Sequence, residues 1–194
     1  MSLTSEDLQR LLRETGALME GHFLLTSGLH SPLYVEKFRL LERPEVTAQL
    51  GRALADRFRN EGVELVAGPA YGGILLAHET AKALGTKAIF TERVEGRMVF
   101  RRGFAEHLPG QRVLVVEDIV TTGGSVREVL EAVQAGGGKV VGVGLLVDRS
   151  GGQVNLGVKT EALTTLHIPT YPPDECPLCR QGTPLVKPGS RPQR

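Results

Sequence analysis

The chain has 194 residues, of which 41% are apolar and 23% are charged, a balance typical of a globular protein with a sizeable core. Its formal net charge of +1 argues against a nucleic-acid site and against an anionic membrane surface. No apolar run approaches the length of a membrane span and no signal-type segment leads the chain, so we expect a cytoplasmic protein.

The first part of the chain predicts two helices with a pair of strands between them. Ser and Thr are favoured helix caps, Pro is favoured at a first helical position, and a Ser-Gly pair is typical of a turn. The predicted elements are a helix from Thr4 or Ser5 to about Gly16, a strand-turn-strand segment over 21–35 whose second strand begins after Pro32, and a helix from Pro44 to about Arg59.

The middle of the chain alternates strands, glycine-rich turns and helices. The predicted elements are a strand over 63–67, a loop over 68–73, a helix to about Leu84, a strand over 87–91, a strand from Val113, a helix ending at Gly136, a strand over 140–147 and a candidate last strand over 163–168. This alternation predicts an α/β fold with a doubly wound, mainly parallel sheet and flanking helices. In such a sheet, ligands bind outside the carboxyl ends of the strands.

The stretch from Val113 to Val126 carries most of the recognisable chemistry. Four apolar residues predict a buried strand, Glu117 and Asp118 follow at its carboxyl end, and a Thr-Thr-Gly-Gly-Ser loop leads into a helix. Glycines let the backbone approach a ligand, and hydroxyl and N–H groups at a helix start can donate to a phosphate dianion. The two acids can accept hydrogen bonds from ribose hydroxyls or hold a metal–water cluster. We interpret the stretch as a sugar-phosphate site in preference to an ordinary β-turn-α unit.

The segment over 92–104 is strongly basic. It contains four arginines within ten residues, at 93, 97, 101 and 102, and Gly96 suits the turn of a hairpin. By charge alone, this would be a solvated hairpin. Because the segment adjoins the phosphate motif, we favour a mobile basic lid over a polyanionic substrate.

The acid pair and its loop resemble the PRPP (5-phosphoribosyl-1-diphosphate) motif of type I phosphoribosyltransferases. Further matches extend over nearly the whole chain: Ser-Gly-x-x-Ser-Pro at 27–32, the loop over 68–73, the basic segment and Asp148-Arg149. Together they resemble the orotate phosphoribosyltransferases. This family makes orotidine 5′-monophosphate and pyrophosphate from orotate and PRPP with Mg²⁺ in pyrimidine synthesis. Its members are typically homodimers in which the lid of one subunit contacts the site of the other.

The resemblance implies a role for each matched residue. The 5-phosphate would be held by Thr121, Thr122, Gly123, Gly124 and Ser125. The pyrophosphate would be held by Ala70, Tyr71 and Gly72, and by Arg93, Arg97 and Arg101 of the lid. Glu117 and Asp118 would hold the ribose hydroxyls, and with Arg97 they are the expected catalytic residues. Orotate would be held by Thr26, Thr121 and Arg149.

The resemblance also implies how metal and chain are organised. Mg²⁺ would be held mainly by substrate and water, without a direct side-chain ligand. We expect one domain over 1–194, with a core over about 45–165 and a small hood from about 1–40 and 165–194. The reaction needs no nucleophilic side chain, because positioning and charge stabilisation suffice for it.

Three features depart from the family pattern. Thr26 and Gly72 stand where many members carry lysines, before the Ser-Gly turn and in the pyrophosphate loop. The lid carries Arg97, Arg101 and Arg102 where lysine and histidine are usual. Arginine does not replace lysine neutrally, because its planar fork binds anions differently from a point charge.

Two other functions would share the central motif. One is transfer to a purine or to uracil, although Arg149 at the base site favours a base that carries an acid. The other is a PRPP-sensing regulator that binds without reacting. Such regulators usually add a DNA-binding domain, whereas only about sixty residues precede the first βαβ strand of this chain.

Cys176 and Cys179 are the only cysteines and make up half of a four-ligand zinc set. With His167 nearby in sequence, a zinc site within one chain or one shared across a dimer is an alternative. The favoured interpretation is two reduced structural cysteines in a C-terminal turn. The remaining histidines are expected to be surface or core residues and not catalysts: His22, His30, His78 and His107. Tyr71 could likewise serve only in packing.

Overall fold

The computed structural model describes residues 3–188 and contains two sheets. Its elements, in chain order, are α1 (Ser5–Glu14), β1 (Leu18–Leu24), β2 (His30–Val35), α2 (Phe38–Leu41), α3 (Pro44–Phe58), β3 (Leu65–Pro69), α4 (Gly72–Leu84), β4 (Lys87–Val94), β5 (Arg97–Phe100), a 3-10 turn (Phe104–His107), β6 (Arg112–Val120), α5 (Gly124–Ala135), β7 (Lys139–Asp148), β8 (Thr160–Thr165) and α6 (Pro177–Arg180). Within these residues, no helix is both long and apolar enough to cross a bilayer.

The main sheet has six strands in the order β5-β4-β3-β6-β7-β8. All neighbours are parallel except β4 and β5, which form an antiparallel hairpin at one edge. The chain order reverses between β3 and β6, so the crevice between their carboxyl ends is the expected ligand position. The predicted doubly wound α/β fold is confirmed.

The sheet separates two apolar layers, and alternate residues of β6 point into different ones. Leu114 and Val116 pack with the α3 and α4 layer, whereas Val113 and Val115 pack with the α5 layer. This alternation is the ordinary period of a strand. Asp118 lies on the α3 and α4 side, since its Oδ2 lies against Gly72.

A small hood is formed by the antiparallel pair β1 and β2 together with the C-terminal tail. The tail forms β-bridges to both strands, Val186 with Phe23 and Tyr171 with His30. Val35 of β2 packs into the apolar layer of α3 and α4, as do Leu8 and Leu12 of α1. The hood and core bounds remain a proposal, and residues 1–2 and 189–194 of the expected domain lie outside the described residues.

Several strand limits differ from the predictions. β2 begins at His30, before Pro32, because His30 pairs with Leu24 on one side and Tyr171 on the other. β3 and β8 are shifted by a few residues, toward later and earlier positions respectively. β6 continues through the acid pair to Val120 because β7 supplies ladder partners as far as Asp148. The short helix α2 was not predicted, since no side chain caps its start.

Candidate active site

The acid pair lies inside β6 and is almost fully buried, with Glu117 7% and Asp118 3% exposed. The sequence had suggested that the two carboxylates follow the strand. Instead, the strand holds their backbone on both sides of the pair, because Glu117 pairs with Leu145 and Ile119 with Val147. The strand pairing therefore fixes the direction in which each of the two side chains leaves the sheet.

Asp118 is satisfied by a backbone donor and a lysine. Its Oδ1 accepts a hydrogen bond from the N–H of Ile119 at 2.7 Å, and its Oδ2 lies 2.6 Å from Nζ of Lys37. A Cβ at residue 72 would overlap Oδ2 of Asp118, so a side chain there would require the Asp118 carboxylate to shift. Gly72 opens α4, which brings the 68–73 loop, Asp118 and Lys37 together at one point.

Glu117 is in a different electrostatic position. Burial, followed by the charge of Asp118, raises the pKa of Glu117 from 4.5 to about 8. Its Oε1 accepts a hydrogen bond from the N–H of Asp118 at 3.0 Å. A neutral carboxyl here can donate a hydrogen bond as well as accept one, whereas the sequence had suggested two acceptors.

The loop after β6 presents hydrogen-bond donors that have no acceptor within the described residues. Thr121, Thr122 and Ser125 are exposed, and their hydroxyls form no hydrogen bond within residues 3–188. The first N–H groups of α5 have no intrahelical acceptor, as in any helix start. Gly123 has φ +80°, and a Cβ there would lie 2.8 Å from Val154, so glycine is needed. The arrangement is an anion cradle at a helix N-terminus.

The guanidinium group of Arg127 holds this loop in place by hydrogen bonds. Nη1 of Arg127 donates to the carbonyl of Thr122 at 2.7 Å, and Nη2 donates to the carbonyl of Asn155 at 3.1 Å. These two hydrogen bonds link the loop to the segment that contains Asn155. Because they fix the loop without using its hydroxyls or N–H groups, the donors stay available to a ligand.

The loop over 68–73 lies beside the cradle, since β3 and β6 are neighbours. The Ala70–Tyr71 peptide is cis, and the N–H of Ala70 donates to the carbonyl of Thr91 at 2.8 Å. Tyr71 is 79% exposed, so the alternative that it serves in packing is wrong for the described chain. An exposed aromatic ring at the mouth of the crevice is available to a ligand or to another subunit.

The basic segment forms the predicted hairpin, with Val94 paired to Arg97 around a Glu95–Gly96 turn. Arg93, expected at the pyrophosphate, is instead bound within the chain: its Nη1 lies 3.0 Å from Oε2 of Glu128 on α5. Arg102 is similarly paired with Glu92 at 3.0 Å.

The other two arginines of the segment remain exposed. Arg97 and Arg101 form no salt bridge within residues 3–188. Since β4 runs parallel to β3, the hairpin projects from the sheet edge that also carries the 68–73 loop. The free positive charge of the segment is thus concentrated on these two residues.

Arg149 follows β7 and is partly buried. Its Nε is buried and has no hydrogen-bond partner in the described chain, and burial lowers the pKa of its guanidinium. Asp148 is not its partner, because that carboxylate accepts from the N–H groups of Ser150 at 2.7 Å and Gly152 at 2.9 Å. Arg149 is therefore not a surface residue paired with Asp148. A buried, unpaired donor of this kind indicates a site for an anion.

The hood hairpin approaches this arginine. Tyr34 on β2 has a pKa raised mainly by burial, with smaller effects from the charges of Glu36, Lys37 and Arg149. Thr26 is exposed in the turn between β1 and β2, and its hydroxyl forms no hydrogen bond within residues 3–188. The expected orotate residues Thr26, Thr121 and Arg149 thus all lie on loops at the ends of strands.

Two contributors were missed by sequence reasoning. Lys37 precedes a short helix and carries no local signal of function, and only the fold brings it to Asp118. Glu128 looks like an ordinary surface acid of α5 but holds Arg93 and also accepts from the N–H of Met98 at 3.2 Å. A search for a cation opposite the buried acid pair could have suggested Lys37, because a buried carboxylate requires a partner.

Comparisons with known proteins agree with this geometry. The family model of the phosphoribosyl transferase domain matches residues 39–160. The chain is 54% identical to the orotate phosphoribosyltransferase of Desulforamulus reducens over 189 residues, covering 97% of this chain and 98% of that one. It is 52% identical to the corresponding protein of Pelotomaculum thermopropionicum, covering 97% and 99%. The crystal structure of orotate phosphoribosyltransferase from Aeropyrum pernix matches with a TM-score of 0.68 and 27% identity, over 82% of this chain and 93% of that one.

Proposed function

The chain belongs to the orotate phosphoribosyltransferase family, and we propose from this that it transfers the 5-phosphoribosyl group from PRPP to orotate. The products are orotidine 5′-monophosphate and pyrophosphate, in the synthesis of UMP. The proposed compartment is the cytoplasm, which suits two cysteines that form no disulfide.

In the proposed pose, each part of PRPP lies against crevice groups that match its charge or its hydrogen-bonding capacity. The 5-phosphate accepts from the loop hydroxyls and from the N–H groups at the start of α5. The ribose hydroxyls lie against the acid pair, where Asp118 accepts and a neutral Glu117 can donate. The pyrophosphate extends toward Gly72 and Tyr71, where Lys37 supplies the cation nearest to Asp118.

The proposed reaction uses positioning and charge and involves no nucleophilic side chain. As the bond from ribose C1 to pyrophosphate lengthens, positive charge develops on the sugar ring. The ring nitrogen of orotate attacks C1 from the opposite face. The carboxylate of Asp118 favours the developing positive charge, and the exposed Arg97 and Arg101 of the lid favour the departing polyanion.

Mg²⁺ fits this site as an ion carried by the substrate. The acid pair offers few oxygens for a protein-built cage, and one of them is already paired with Lys37. A bound ion would supply positive charge that offsets the charge of the leaving group. In this proposal, Glu117 and Asp118 hold the hydroxyls, and neither is a direct metal ligand.

A homodimer with a shared lid is part of the proposal. Exposed apolar side chains lie on neighbouring parts of the chain: Phe38, Tyr71 and Leu75. A second subunit packed on this surface would cover them beside the crevice. Arg97 and Arg101 have no partner within residues 3–188, which suits a role toward the other subunit.

The choice of base depends on one observation, the buried Nε of Arg149 without a partner. A guanidinium holds a carboxylate by two parallel hydrogen bonds, and orotate differs from uracil chiefly by that carboxylate. The test is pyrophosphate release from PRPP and Mg²⁺ with orotate, uracil, adenine, guanine and hypoxanthine in turn. We expect release with orotate alone. Release with another base and not with orotate would refute the proposed substrate, and PRPP binding without turnover would indicate a regulator.

A further inference from the structure

Four metal-ligating side chains converge outside the candidate active site. His22 and His30 come from the two strands of the hood hairpin, and Cys176 and Cys179 come from the turn of α6. One ligand atom from each residue lies within 4.8 Å of all the others. His22, His30 and Cys176 are buried. Sequence reasoning had considered His167 beside the cysteines, but His167 is not part of this cluster.

Three of four close distances within the cluster match the edges of a tetrahedron around zinc, and the fourth, 3.0 Å, is slightly shorter. Zn–N bonds of about 2.0–2.1 Å and Zn–S bonds of about 2.3 Å place neighbouring ligand atoms about 3.3–3.8 Å apart. Nε2 of His22 lies 3.4 Å from Sγ of Cys176 and 3.7 Å from Sγ of Cys179. Nδ1 of His30 lies 3.3 Å from Sγ of Cys179 and 3.0 Å from Nε2 of His22.

A hydrogen bond to the backbone fixes the tautomer of His22 that can coordinate a metal ion. Its Nδ1 lies 2.8 Å from the carbonyl oxygen of Thr183, which only an N–H can satisfy. In the neutral ring Nε2 therefore carries a lone pair, directed at the cluster. A carbonyl that accepts from the outer nitrogen is the usual support for a metal-bound histidine.

Hydrogen bonds alone cannot satisfy this arrangement. Nε2 of His22 has one lone pair but three close neighbours: His30, Cys176 and Cys179. At most one of these can donate to it with good geometry. A cation at the centre accepts a lone pair from all four ligands at once. The cluster therefore has the chemistry of a closed metal site more than that of a packed polar core.

The backbone holds the ligands in place from both sides. The N–H of Val186 donates to the carbonyl of His22 at 2.8 Å, and His30 and Tyr171 exchange two hydrogen bonds, of 2.8 and 2.9 Å. Cys176 caps α6 and Pro177 occupies its first turn, which fixes the spacing of the two sulfurs. The four ligands are thus positioned by elements far apart in sequence.

We propose that His22, His30, Cys176 and Cys179 bind one Zn²⁺ ion in a tetrahedral Cys₂His₂ site. Four protein ligands leave no open position, so the site is structural. Thiolates with imidazoles favour zinc over the harder Mg²⁺. The ion would join the C-terminal tail to the hairpin whose turn carries Thr26.

The test is metal content of the purified full chain. Protein expressed with added zinc is dialysed and its zinc is measured by mass spectrometry beside protein concentration. We expect one zinc per chain for the wild type and for His167→Gln, which alters an exposed histidine outside the cluster. We expect none for Cys176→Ser. Half a zinc per chain would instead mean a site shared between subunits, and zinc retained by Cys176→Ser would place the ion elsewhere; either overturns the proposal.

A second measurement needs no variant that could fail to fold. The wild-type chain is stripped with a chelator and titrated with Co²⁺, which reports its ligands by absorption. We expect thiolate-to-metal bands and intense tetrahedral bands that saturate at one equivalent and disappear when Zn²⁺ is added. The proposal is overturned if Co²⁺ gives only weak octahedral bands. It is also overturned if the freshly purified chain contains no zinc and has a Cys176–Cys179 disulfide, which lowers its mass by two hydrogens.

Discussion

Nζ of Lys37 lies 2.6 Å from Oδ2 of Asp118, whose side chain is only 4% exposed. The same oxygen lies against Gly72, in the space that a Cβ at that position would take. In the family that the sequence resembles, many members carry a lysine at the position of residue 72. This chain has glycine there, and Lys37 from another element places an ammonium group against Asp118.

Lys37→Met should destabilise the chain more than a matched surface change. It removes the charge but keeps the stem, and leaves a buried carboxylate without its cation, which costs about 1–3 kcal/mol. The control is Lys82→Met, because Lys82 forms an exposed pair with Glu79 and such pairs contribute about 0–1 kcal/mol. Urea unfolding of both variants measures the difference. Equal losses would mean that the Lys37–Asp118 pair is not a buried interaction.

Asp118→Asn should lower turnover by roughly a hundredfold or more, about 2.7 kcal/mol, because it keeps the shape but removes the charge that favours the developing cation. The change is measured as kcat with orotate at saturating PRPP, with circular dichroism to verify folding. Asp56→Asn is the control, since Asp56 is exposed and, within residues 3–188, pairs only with Arg59. Unchanged turnover in Asp118→Asn would refute the role given to β6.

Glu117 should make stability fall as pH rises. Its folded pKa of about 8 lies above the ordinary 4.5, so between these values the unfolded chain releases a proton that the folded chain keeps. The stabilisation relative to Glu117→Gln is therefore complete below pH 4.5 and lost as pH rises through 8. Urea unfolding of both proteins at about pH 5 and about pH 8, without substrate or metal, measures this. A difference that does not change with pH would contradict the raised pKa.

The lid should act on the other subunit. If so, an Arg97→Ala chain mixed with an Asp118→Asn chain forms heterodimers with one intact site and one doubly defective site. An equal mixture should regain about a quarter of wild-type activity, because about half of the dimers are mixed and each has one good site. Asp118→Asn alone, treated identically, is the control. No recovery after proven subunit exchange would place Arg97 over its own site.

The sequence predicted the acid pair, the phosphate loop and the basic hairpin because each is a local pattern of residue types. It did not predict what the fold brings to them. Lys37 lies far from Asp118 in sequence, and Glu128 captures Arg93 through the packing of α5 against the hairpin. The histidines that meet Cys176 lie at the other end of the chain, and only the bridges of the tail to the hairpin bring them together.

The central claim is that Arg149 selects a base bearing a carboxylate, and Arg149→Ala tests it most directly. Removing one partner of a buried charge pair typically costs about 2–5 kcal/mol, so kcat/KM for orotate should fall roughly 30- to 4,000-fold. The Kd for PRPP with Mg²⁺, measured by calorimetry without base, should change little. Wild-type efficiency with orotate would mean that the carboxylate is bound elsewhere, and an equal loss of PRPP affinity would make Arg149 a structural residue.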